Sequence, residues 1–345
     1  MLNSTTKPIS LIHKQFKKEF KSLNSCEEPI LDKKKARYEA FPIDDTYKTI
    51  YDIYVKHKMA FWDVDEIDFS KDREGYLKLN DKEKHFIKYV LAFFAYSDTI
   101  VNNNINNQFL HNVQIMESQM FYRFQGAMED VHNITYSLMI DTMIQDQTLI
   151  KELQNKVKTI PVLAKKKNWA EFWNNKESPF HMRLIAFAIV EGVFFSASFC
   201  AIYWIKEKKG NLIPGLTQSN ELIARDEGLH TQHAVLLFHH LKNKPSEAIV
   251  HTMFKEAVAI ETEFITESLP CTLIGMNAEQ MTQYVQYVAD LLLFDLGYTK
   301  IYNQKNPFQW IESMSLQNKT NFFESRVTEY SRAGNVSGFC LDDDF

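Results

Sequence analysis

Residues 184–205 read LIAFAIVEGVFFSASFCAIYWI and carry a single charge, Glu191. A run this long and this apolar has two homes, the core of a bilayer or a helix buried on all sides in a large helical domain. An acid in the middle of either is costly unless it has a partner. No second stretch of the chain resembles this one, so a lone membrane span has no companion. The buried-helix reading holds if the rest of the sequence supplies Glu191 with partners.

Helical periodicity dominates that rest. Only 10 glycines and 9 prolines occur in 345 residues, and alternating strand patterns are hard to find. Helices are expected at 46–58, 82–110, 113–143, 146–157, 180–207, 217–242, 246–268 and 277–297. Ser178-Pro179 and Pro214-Gly215 stand ahead of two of them, and Asn243 and Pro245 follow the second of these. The fold class expected is all-α, with one domain over 41–330. Residues 1–40, rich in lysine, are expected to be a polar, solvated arm. Residues 331–345, SRAGNVSGFCLDDDF, lose all periodicity and are expected to be a flexible tail. Lys165, Lys166 and Lys167, like the run 206–209, are expected at solvated helix ends.

Composition narrows the function. The net charge of −5 argues against a general nucleic-acid binder, which needs a basic face. The four cysteines, Cys26, Cys200, Cys271 and Cys340, form no CxxC, which fits a reducing compartment and no thiolate metal site. The N-terminus has no apolar signal region, so the sequons at Asn3, Asn133, Asn318 and Asn335 carry no meaning and a cytoplasmic location is expected.

Partners for Glu191 emerge from spacing. Residues three or four apart share a helix face, so Glu129 projects with His132 and Glu227 with His230. These are the only two Glu-x-x-His matches in the chain. Asp98 falls on the apolar stripe of Phe86, Val90, Phe94, Val101 and Ile105. Glu191 falls on that of Leu184, Phe187, Ala188, Phe195 and Phe199, and Ile223, Ala234 and Leu237 flank Glu227 and His230. Four acids on core-facing positions, if uncompensated, would cost more than the roughly 5–15 kcal/mol stability of a typical domain. Divalent cations resolve the conflict. Carboxylates with imidazoles and no thiolate suit iron or manganese, and two single acids plus two Glu-x-x-His pairs is the ligand set of ferritin-like di-iron bundles. Here one of the single acids is Asp98 rather than a glutamate.

Longer motifs carry a family resemblance. LAFFAYSD (91–98), FQGAMEDVHNITYSLMIDT (124–142), AFAIVEGVFFSASF (186–199), GLTQSNELIARDEGLH (215–230), NPFQW (306–310), NFFESRVTEY (321–330) and FCLDDDF (339–345) occur in this order. In them the chain resembles the small, radical-generating subunit of class I ribonucleotide reductase, closest to the eukaryotic type, from about residue 28 to the end. The resemblance implies Asp98, Glu129 and His132 on one iron and Glu191, Glu227 and His230 on the other. It implies a stable tyrosyl radical on Tyr136, one turn beyond His132, in a pocket of Phe195, Phe199 and Ile223. It implies a radical relay through Asp226, Trp62 and Tyr330. A terminal peptide, with Phe339, Leu341 and Phe345 for apolar pockets and Asp342, Asp343 and Asp344 for basic groups, would dock a large subunit that reduces ribonucleotides. A homodimer is implied as well.

Three features depart from the family pattern. Asn133 stands where a small residue is usual, the spacer 331–338 is short, and Cys340 and Asp343 replace the more frequent threonine and alanine. A di-iron oxidase or desaturase of the same fold would share the six ligands, but would not need Tyr136, Trp62 or a phenylalanine-terminated tail. An iron-storage protein or an inactive paralogue is the non-enzymatic alternative. Storage proteins of this fold are shorter, and an inactive paralogue should have lost ligands or the tyrosine.

Overall fold

The structure, a computed structural model, describes residues 9–175 and 177–311, with no side-chain description for 9–15, 98–104 and 106–107. Helices α1 (Ile9–Asn24), α2 (Lys48–Met59), α3 (Asp72–Leu77), α4 (Asp81–Asn104) and the short α5 (Leu110–Asn112) lead into the long α6 (Met116–Ile144). They are followed by α7 (Gln147–Val157), α8 (Pro161–Trp173), α9 (Phe180–Ile189), α10 (Ser196–Lys209), α11 (Pro214–His239), α12 (Glu247–Glu263) and α13 (Ala278–Asp295). Among the described residues there is no strand. The architecture is a ferritin-like helical bundle. At its centre α4 lies along α6, α9 and α10 lie along α11, and α6 meets α11, while α2 covers both.

Local chemistry sets the helix ends. Pro161 and Pro214 begin α8 and α11, where their missing N–H costs nothing. Asp146 caps α7 by accepting from the Thr148 and Leu149 amides, and Asn277 caps α13 by accepting from Gln280. The N-terminus of α11 is capped from a distance. The Asp72 carboxylate on α3 accepts from the Gly215 and Leu216 amides, both at 2.8 Å. A Cβ at position 215 would lie 2.5 Å from the Phe69 ring and 2.7 Å from Asp72 Oδ2, so only glycine admits this close approach.

The apolar run belongs to the core. Residues 180–209 are long and apolar enough to cross a membrane, yet 94% of their most apolar window is buried inside the protein. They do not form one continuous helix. A π-helical turn, Val190–Phe194, separates α9 from α10 and carries Glu191. Two similar turns, Ile105–Phe109 and Phe264–Ser268, follow α4 and α12. Each inserts a residue that period counting does not register, because the flanking helices remain regular.

Two expectations are corrected. Within 1–40, α1 buries Phe16, Phe20 and Leu23, with Phe20 against Trp173 at 6.3 Å. Farther on, the Glu28 carboxylate accepts from the Lys242 and Asn243 amides at 2.6 and 3.0 Å. Lys17, Lys18 and Lys21 mark only the outer face of this amphipathic helix. Likewise Lys166 is not at a solvated helix end. It lies in the middle of α8, 6% exposed, because the helix 161–173 was itself not anticipated.

Candidate metal centre

The central face of α6 presents Gln125, Glu129, His132 and Tyr136, all buried, at spacings of four, three and four. Across from it α11 presents Glu227 and His230, and the π-helical turn adds Glu191. One ligand atom from each of Glu129, Glu191, Glu227 and His230 lies within 4.8 Å of the others. His230 Nδ1 is 3.2 Å from Glu129 Oε1, 3.2 Å from Glu227 Oε2 and 3.8 Å from Glu191 Oε2. His132 Nδ1 is 3.2 Å from Glu227 Oε1 and 3.5 Å from Glu129 Oε2. Both imidazoles therefore turn the same nitrogen toward the acids.

The donor set fits metal ions. Among the described residues no lysine or arginine pairs with these three glutamates; their only ionic contacts are with the two histidines. His132 Nδ1 and Glu191 Oε2 are buried without a hydrogen-bond partner. Burial, then the neighbouring Glu227 and Glu129 carboxylates, push Glu191 well above the usual carboxylate range. Burial acts the same way on Glu227, but its contacts with Glu191, His230 and His132 outweigh it and hold that acid low. Carboxylates this close cannot all ionise without added positive charge.

The outer nitrogens differ. His132 Nε2 lies 3.2 Å from Asp226 Oδ2, and Trp62 Nε1 donates to the same oxygen at 2.7 Å. Arg225 binds the other oxygen, Oδ1, with Nη2 at 3.2 Å. Burial pushes Asp226 up, but the His132 contacts and the charges of His57 and Arg225 bring it below the usual range. Adjacent on α11, Asp226 and Glu227 point about 100° apart, so one reaches outward to Trp62 and the other inward. His230 Nε2 has no such partner; the buried His57 ring stands 4.9 Å away edge-on.

Tyr136 is 2% exposed and stacks on Phe94 at 4.9 Å. Phe94 in turn meets Phe199 at 4.8 Å and Phe195 at 5.8 Å. Ile223 on α11 is fully buried.

Residues 37–307 match the family model described as ribonucleotide reductase, small chain. The chain belongs to this family. It is 50% identical over 322 residues to the ribonucleoside-diphosphate reductase small chain of Variola virus, covering 92% of this chain and 100% of that one. Identity to the ribonucleoside-diphosphate reductase subunit M2 of Danio rerio is 49% over 325 residues, covering 92% and 83%. The solved Rnr4 homodimer of Saccharomyces cerevisiae superposes with a TM-score of 0.80 at 33% identity, covering 90% of this chain and 100% of that one. The function is that of a ribonucleoside-diphosphate reductase small chain, an oxidoreductase component with a metal centre of carboxylate and imidazole ligands.

Several expected residues of this small chain come together and others lie outside view. Glu129, His132, Glu191, Glu227 and His230 converge, and Asp226 joins His132 to Trp62. Asp98 lies within α4, but its side chain is outside the described residues. Tyr330, Phe339, Cys340, Leu341, Asp343 and Phe345 also lie outside them. The departure at Asn133 has a local use: its Nδ2 donates to the Ala95 carbonyl at 2.8 Å and ties α6 to α4 beside position 98.

Gln125 was not anticipated. Its Nε2 donates to Glu129 Oε1 at 3.3 Å and Glu191 Oε1 at 3.4 Å. The signal was present, since Gln125 stands four residues before Glu129 on the same helix face. His57 had no such signal, because only tertiary packing brings α2 to His230.

Proposed function

We propose that Glu129, His132, Glu191, Glu227 and His230, with Asp98, hold two iron ions, and that Tyr136 is the site of a stable radical. The observation that carries this reading is the convergence of three buried glutamates and two Nδ1 atoms on one space, with no lysine or arginine among the described residues paired to them. When bound, the iron would supply oxidising power drawn from oxygen. Manganese suits the same ligands, and metal counting distinguishes the two.

The chain's own residues then have distinct tasks. Gln125 orients two of the acids by donating to both. Phe94 stacks on Tyr136, Phe195 and Phe199 pack on Phe94, and with the buried Ile223 they supply the apolar pocket that keeps water and reductants from a phenoxyl radical. Asp226 Oδ2 fixes the outer nitrogen of His132 and accepts from Trp62, which places it to take the Nε1 proton when the indole is oxidised. Tyr330 continues this relay. The terminal residues Phe339, Leu341 and Phe345 dock the large subunit, where ribonucleotides are reduced to deoxyribonucleotides. We infer a homodimer in the cytoplasm; the described cysteines Cys26, Cys200 and Cys271 are all unpaired, as a reducing compartment requires.

Anaerobic loading with Fe(II), followed by oxygen, tests the reading. Two bound ions per chain and a tyrosyl electron paramagnetic resonance signal are expected. Tyr136→Phe should lose the signal entirely while retaining both ions; a normal signal in that variant would sink the assignment.

A further inference from the structure

A second group of buried charges lies behind the π-helical turn that carries Glu191. Lys166 on α8 is 6% exposed and forms an ion pair with Glu261 of α12, which is fully buried. Its ammonium also donates to the Phe194 carbonyl at 3.0 Å. The rings of Phe264 and Phe93 lie 4.0 and 4.2 Å from Nζ, close enough for cation–π attraction. Phe194 is the last residue of the turn Val190–Phe194.

That turn decides where Glu191 points. A π-helical turn holds one residue more than an α-helical one, and each residue rotates the chain by about 100°. Relaxation to a regular helix would therefore turn Glu191 away from Glu129, Glu227 and His230. One side of the turn is closely confined: a Cβ at Gly192 would sit 3.2 Å from Thr231 on α11 and 3.3 Å from Leu292 on α13. The other side is loose. A cavity of about 40 Å³ lies there, lined by Phe93, Leu163, Lys166, Val190, Phe194 and Phe195. Lys166 donates to the turn from this side, and Ser196, just beyond the turn, donates to the Val193 carbonyl at 2.8 Å.

A buried ion pair is a poor source of stability, because desolvation offsets the attraction, and an apolar pair of similar size serves as well or better. The pair's location gives it another use. We propose that Lys166 is a positioning residue for Glu191: its ammonium, charge-balanced by Glu261, pins the Phe194 carbonyl and holds the π-helical turn that aims Glu191 into the metal centre. The proposal rests on the metal reading above.

The test uses the full-length metal-free chain, titrated anaerobically with Co(II) by equilibrium dialysis, with thermal unfolding measured in parallel. Wild-type protein is expected to bind two ions; if it binds none, the metal reading itself fails, whatever Lys166 does. The variant Lys166→Met/Glu261→Met removes both charges and the donor. Its melting temperature should equal or exceed that of wild type, while one ion binds about 10- to 100-fold more weakly, the usual scale for groups behind a ligand. Wild-type affinity for both ions in this variant would overturn the proposal. Glu261→Gln keeps the Nζ donor but removes its counter-charge. Its melting temperature should fall while both ions bind as in wild type, so the proposal can still be overturned by this variant if the double variant does not fold. Affinity that falls in step with stability in Glu261→Gln would reduce the pair to a packing element and overturn the proposal.

Discussion

Two sets of buried carboxylates in this protein have opposite surroundings. Asp72 and Glu28 are each met by two backbone amides, Gly215 and Leu216 for one, Lys242 and Asn243 for the other, with the His181 ring and the Asn243 side chain also on Glu28. Glu129, Glu191 and Glu227 meet one another, two imidazoles and a single distant amide, that of Gln125. The first set has exchanged water for peptide donors, which offset part of the cost of burial, although burial still holds Asp72 above the usual carboxylate range. The second set has not: three acids share two imidazoles and no lysine or arginine among the described residues, an arrangement that favours added cations. Burial of an acid therefore says little by itself; the partners that face it separate a structural carboxylate from a ligand.

The largest effect should come from the ligand set. Glu191→Gln keeps the shape and removes one charge from the crowd. Metal binding should weaken by at least about 10- to 100-fold, while the metal-free chain becomes no less stable. Ion counting and calorimetry of the same samples measure both, and a variant that loses stability with its metal affinity intact would place Glu191 with Asp72 instead.

A smaller effect of the opposite kind is expected at Asp72→Ala. Two α11 amides lose their acceptor, and stability should fall by about 1–3 kcal/mol in urea unfolding, with the number of bound ions unchanged. Loss of metal at full stability would break the comparison from the other side.

The smallest effect is in pH. Burial pushes Asp72 up to about 6 from 3.8, against the pull of the Gly215 and Leu216 amides. The native state thus holds a proton that the unfolded chain has released in that interval. Stability from this group is present at low pH and is lost as pH rises from about 4 to about 6. Asp72→Asn removes the dependence, so in the metal-free chain it should cost more at pH 4 than at pH 7. An equal cost at both would show that Asp72 stays ionised throughout.

Much of the site was legible in the sequence because it is written in helix periods. Glu129 with His132, and Glu227 with His230, share faces by spacing alone. The single charge of 184–205 demanded partners before any were seen. Lys166 was misread for the same local reason: a lysine triplet looks solvated, and its partner Glu261 is 95 residues away in the chain. The Trp62–Asp226 bond, spanning 164 residues, was implied by family resemblance and not by any spacing.

The sequence by itself determined an all-helical chain, the two Glu-x-x-His faces and the burial of Glu191, since periodicity and the cost of a buried charge act along the chain. Tertiary structure alone decided which acids share one space, where a π-helical turn adds about 100° to the aim of Glu191, and which oxygen joins Trp62 to His132. Those outcomes depend on contacts between helices far apart in sequence, where a rotation of one residue changes every partner.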